Sequence, residues 1–101
     1  MDTAVEKVLA EICRLAKPDT VILYNEKRGL DGAVSSFKLC VVTGEANPRS
    51  LEEQIYLQVD CPVAFDVLVY GRDDWERLSA EPGSFAARVA GSGRVLYEQA
   101  G

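Results

Sequence analysis

Three side chains with chemistry to offer interrupt stretches that otherwise read as buried strands. Ser36 and Lys38 lie two residues apart in Ser35-Ser36-Phe37-Lys38-Leu39-Cys40-Val41-Val42, and Asp66 stands among the apolar residues of Phe65-Asp66-Val67-Leu68-Val69-Tyr70. An ammonium or a carboxylate is expensive to take out of water unless a partner or solvent reaches it, so each needs a reason to be there. A serine and a lysine on one strand face suit a Ser-Lys nucleophile dyad. That dyad needs a depressed lysine pKa, whereas a neighbouring Asp66 acts in the opposite direction, so it is discounted. The chain has no histidine, which excludes Ser-His-Asp and Cys-His catalysis and histidine-ligated metals. Cys13, Cys40 and Cys61 are odd in number, far apart and without a Cys-x-x-Cys pair. Neither a disulfide framework nor a zinc cluster is expected, and all three read as small buried hydrophobes.

Composition narrows the partners. With 101 residues and 48% hydrophobic content, the sequence predicts a single domain over residues 1–101 with one core. A formal net charge of −5 argues against a protein that coats nucleic acid, since that binding depends on clustered lysine and arginine. It leaves room for a small nucleotide at a local site. No segment reaches the roughly 20 apolar residues of a membrane span. The first 16 residues alternate charges through an apolar run, unlike a signal peptide, so no membrane and a cytoplasmic location are expected.

The elements that must position Ser36, Lys38 and Asp66 follow from periodicity and punctuation. Thr3 to Glu6 has capping-box spacing, and Val5, Val8, Leu9, Ile12, Leu15 and Ala16 recur at helical spacing before Pro18. Val21-Ile22-Leu23-Tyr24 reads as a first strand, and the glycine-containing stretch from Asn25 to Ser35 as a loop or frayed helical turn. A second strand covers Phe37 to Thr43. Ser50 and Glu53 suggest the cap of a helix carrying Leu51, Ile55, Val59 and Tyr56 toward the core. A third strand runs from Phe65 to Tyr70. Asp73 or Asp74 then caps a short helix around Trp75, the sole tryptophan, read as a core anchor. Ser84 caps another helix, and Arg94 to Glu98 forms the last strand. This order predicts an α/β (α+β) fold: a mixed β-sheet with helices packed mainly on one face.

Strand alternation sorts the residues by face. Phe37, Leu39 and Val41 share one side of the second strand, and Phe65, Val67 and Val69 one side of the third, giving an apolar face for helices. Lys38 and Asp66 fall on the other side. Were the two strands neighbours, these charges would meet and offset each other's desolvation; a lysine guarding an edge strand is the plainer alternative.

The stretch Val-Ile-Leu-Tyr-Asn-Glu-Lys-Arg-Gly from Val21, the two strands just described and the ending Gly-Ser-Gly-Arg-Val-Leu-Tyr-Glu resemble the minimal nucleotidyltransferase domain of the DNA polymerase β superfamily. The resemblance runs along nearly the whole chain in order and spacing. Such domains show an aromatic-Gly-Ser turn, a basic loop, an Asp-x-Asp strand and a further strand Asp. Here Tyr24-Asn25-Glu26 stands at the turn, Lys27, Arg28 and Gly29 match the basic loop in type, Ser36 and Lys38 replace both acids of Asp-x-Asp, and Asp66 matches the last carboxylate.

What the resemblance implies is a nucleotidyltransferase-like domain without catalysis. In-line nucleotidyl transfer uses Mg²⁺, which needs several hard oxygen ligands, and one vestigial carboxylate cannot supply them. The expected role is a binding or regulatory, antitoxin-like module, with a small helical partner protein or self-association and no cofactor. Tyr24, Asn25, Lys27 and Arg28 would line what is left of a nucleotide site. Two alternatives stand beside it. One is an active enzyme using Mg²⁺ and an NTP, with Asp31, Glu26 or a partner's acid completing a site around Asp66. The other is an unrelated small α/β domain that self-associates.

Overall fold

In a computed structural model, which describes residues 2–44 and 47–99, the chain folds into four helices and one four-stranded mixed sheet. The elements are α1 (Thr3–Ala16), β1 (Thr20–Arg28), β2 (Val34–Thr43), α2 (Pro48–Gln58), β3 (Ala64–Gly71), α3 (Arg72–Ser79), α4 (Phe85–Ser92) and β4 (Arg94–Glu98). Sheet order is β3-β2-β1-β4, with β2 and β3 parallel and the other pairs antiparallel. The mixed α+β class expected from the sequence is therefore observed. No helix among the described residues is long and apolar enough to cross a membrane.

Helix α1 starts one residue earlier than its capping-box spacing suggests, because the Asp2 carboxylate accepts the Ala4 and Val5 N–H groups. Its stripe is the expected one: Val5, Val8, Ile12 and Ala16 are buried. Lys17, at φ 45°, turns the chain left-handed before Pro18. Asn47, not Ser50, caps α2: its side chain accepts the Ser50 N–H at 3.1 Å, and Pro48 occupies the first turn where no N–H is needed. Ser84 caps α4 as expected, accepting the Ala87 N–H at 2.9 Å.

The largest departure lies between Asn25 and Ser35. That stretch is neither a loop nor a helical turn: β1 continues to Arg28, β2 begins at Val34, and the two form a hairpin. Gly29 donates to the Ala33 carbonyl at 2.8 Å, and Gly32 takes φ 83°, a conformation only glycine adopts freely. This end of the hairpin is largely exposed, which removes the apolar alternation that marks a half-buried strand.

The larger core lies where the sequence placed it, between α1 and α2 and the sheet face carrying Phe37, Leu39, Val41 and Val67. Phe37, Phe65 and Tyr56 stack in series from core to edge, with centroids 5.8 and 5.9 Å apart. At the outer edge of β3 the Tyr56 hydroxyl accepts the Val67 N–H at 2.7 Å and donates to the Val67 carbonyl at 3.2 Å, while Glu52 accepts the Val69 N–H. An edge that would offer itself to another chain is thus closed by side chains of α2. The helices are not packed mainly on one face as the sequence order suggests, because the opposite face is covered as well. There Ile22, Cys40 and Val89 form a second, smaller core with Tyr24, Tyr70 and Trp75, covered by α3 and α4. Cys40 is fully buried, whereas Cys13 and Cys61 are only half-buried.

Candidate functional site

Residue Tyr24 decides how β1 presents itself to this second face. Leu23 pairs with Leu39 and Asn25 with Lys38, so Tyr24 is an extra residue, a bulge in the β1–β2 ladder. Strict alternation would send Tyr24 and Asn25 to opposite faces; the bulge lets both line the side facing α4. The Tyr24 ring meets Phe85 of α4 edge-on, centroids 5.4 Å apart at 89°. Burial first, then nearby acidic groups including Asp66, push the Tyr24 phenol up to about 12, so it keeps its proton and remains a donor at neutral pH.

Ser36, Lys38 and Asp66 come together as expected. Lys38 pairs with Asp66 across the parallel β2–β3 ladder and Ser36 with Ala64, which sets Lys38 and Asp66 side by side on one face. With Asn25 and Lys27 they line a hollow of about 170 Å³. Lys38 and Asn25 also line an adjoining hollow of about 280 Å³ whose far wall is the Phe85, Arg88 and Ser92 stripe of α4.

Two expectations about Lys38 need correction. It is not an edge guard, because β2 is an interior strand. Nor does it form an ion pair with Asp66 among the described residues; both side chains are exposed, so there is no desolvation for a pair to offset. Lys38 sits in water because the sheet is uncovered there. Ser36 and Lys38 share a face, yet no hydrogen bond links them, and Cys40, its thiol pushed up to about 12 by burial, stays protonated.

Other residues singled out from the sequence go elsewhere. Arg28 is held in the hairpin, donating to the Gly32 carbonyl at 2.8 Å and lying 3.6 Å from Glu26. Glu26 pairs with Phe37 in the β1–β2 ladder, which puts it on the opposite face from Asp66. Asp31 accepts the Ala33 N–H at the hairpin tip. Neither acid lines the hollows beside Asp66. Arg88 and Ser92 were missed by sequence reading, although their spacing from Phe85 and Val89 places them on the helix face toward the sheet.

A larger hollow, about 350 Å³, opens at the carboxyl ends of β2 and β3, where ligands gather in many open α/β sheets. Its arginine is committed: Arg72 clamps the Asp19 carboxylate with two bonds of 2.5 and 2.9 Å and holds that carboxyl below its usual range. Asp73 and Asp74 make the rest of its lining acidic.

The cleft beside Lys38 does not fit Mg²⁺. Asp66 is its sole carboxylate, with Lys27 and Lys38 for neighbours. Among the described residues no group of three or more His, Cys, Asp or Glu is placed to hold a metal ion. No family model, curated protein or solved structure matches this chain.

Proposed function

We propose that this protein is a catalytically inactive nucleotidyltransferase-like domain that works by binding, as the regulatory, antitoxin-like member of a pair with a small helical protein. One observation carries the reading. At the position where the resemblance implies three clustered carboxylates, Ser36 and Lys38 project from β2 and only Asp66 faces them from β3. An ammonium next to the surviving acid repels a divalent cation, and the cleft holds too few oxygen ligands to clamp attacking and leaving groups. The parallel neighbours β2 and β3 support the family reading, because a sheet that separated them would have left Asp66 alone.

Calorimetric titration with Mg²⁺ and ATP tests the loss of catalysis. The expected result is no Mg²⁺-dependent ATP binding in the wild type and no change in Asp66→Asn. Micromolar binding that needs Mg²⁺ and disappears in Asp66→Asn would restore the active enzyme. Purification from the native host under mild salt tests the partner: co-elution with a small helical protein is expected, and elution of the chain alone contradicts the pairing.

A further inference from the structure

Charge is distributed unevenly over the surface of this acidic chain. In the hollows beside Arg72 the arginine is paired with Asp19 and accompanied by Asp73 and Asp74 on one side and by Glu76 and Glu98 on the other. In the hollow between β2 and β3, Lys27 and Lys38 face Asp66. The hollow under α4 differs from all of these. It is lined by Lys38 and Arg88 and contains no carboxylate, on a chain whose formal charge is −5. Neither cation is used in an ion pair among the described residues.

Its other polar lining is neutral: the Asn25 amide and the Tyr24 phenol can donate, whereas the Ser92 hydroxyl gives its proton to the Arg88 carbonyl at 2.7 Å. Buried Val89 and the Phe85 ring supply apolar surface. Two cations and two neutral donors lining one concavity form the donor set of an oxyanion site, and the arginine brings a planar fork suited to two oxygens. We propose that this hollow binds a phosphate group, free or on a small ester, directly through Lys38 and Arg88 and without a divalent cation. The proposal rests on the charge distribution, not on the family resemblance, and it involves no covalent step. Failure to bind phosphate would leave the partner-binding reading intact.

The test is an amide NMR titration of the wild-type protein with inorganic phosphate and, separately, methyl phosphate, against chloride at matched ionic strength and with EDTA present. Saturable shifts are expected at Asn25, Lys38, Arg88 and Ser92, with dissociation constants on the order of millimolar for so open a site. Whichever probe binds more tightly identifies free phosphate or the ester as the ligand. Arg88→Gln and Lys38→Gln each lose affinity by about tenfold, the worth of a charged hydrogen bond. Arg77→Gln, which removes a cation that does not line the hollow, leaves affinity unchanged. Absence of saturable shifts with both probes, binding only when Mg²⁺ is added, or full affinity in Arg88→Gln each overturns the proposal. Both cleft cations are exposed, so their variants fold, and the wild-type titration decides the matter even without them.

Discussion

Lys38 and Cys40 occupy the same face of the same strand two residues apart, and they live in different solvents. Cys40 is completely buried under α3 and α4 with Ile22 and Val89, whereas Lys38 stands in water. The other face of β2 shows no such break: Phe37, Leu39 and Val41 are all buried. Helix length explains the contrast. With eight residues each, α3 and α4 are about 12 Å long, while the ten residues of β2 extend about 33 Å. Two short helices cannot roof that face to its end. What looked like a charge forced into a buried strand is a residue beyond the roof, and the same shortfall opens the cleft.

Cys40→Lys breaks the comparison most severely. It places an ammonium under the roof, where Cys40 is completely buried, and the expected loss is about 3–5 kcal/mol in urea unfolding, the usual consequence of an uncompensated buried charge. A loss below about 1 kcal/mol would mean that α3 and α4 do not seal the sheet around Ile22 and Val89.

Much of this arrangement was legible beforehand. The α1 stripe, the alternation of β2 and β3 and the Ser84 cap depend on spacing alone, and local spacing is what one sequence displays. The hairpin arms were not legible. Their exposed ends carry no apolar period, and their order comes from the ladder bonds that the two arms make with each other. The Tyr24 bulge was hidden for a related reason: it exists only relative to β2. Lys38 was the sharpest lesson, because alternation predicts which face a side chain takes but not where on that face the covering helices stop.

The edge of β3 offers a second, smaller contrast. Val67 is held on both its N–H and its carbonyl by the Tyr56 hydroxyl, whereas the Val69 N–H is held by the Glu52 carboxylate. Tyr56→Phe removes the first arrangement and spares the second. A loss of about 1 kcal/mol is expected, small because Tyr56 is 45% exposed and water can replace part of what is lost. Amide hydrogen exchange should accelerate at Val67 and not at Val69; equal acceleration at both would mean that the edge frays as a unit.

The smallest effect is expected at the exposed Lys38. Lys38→Gln should change stability by no more than about 0.5 kcal/mol, because the side chain is exposed and joins no ion pair among the described residues. Asp66→Asn should behave alike, and the double variant should equal the sum of the two. Register makes this cycle informative: the two residues are direct partners across the β2–β3 ladder, so if proximity in a sheet were enough to couple charges, coupling would appear here. An interaction energy well above about 0.5 kcal/mol would show that the ion pair forms in solution, and Lys38 would then be withdrawn from the phosphate hollow toward Asp66. Near-zero coupling leaves the ammonium free to serve the hollow under α4, which is the condition the phosphate reading needs.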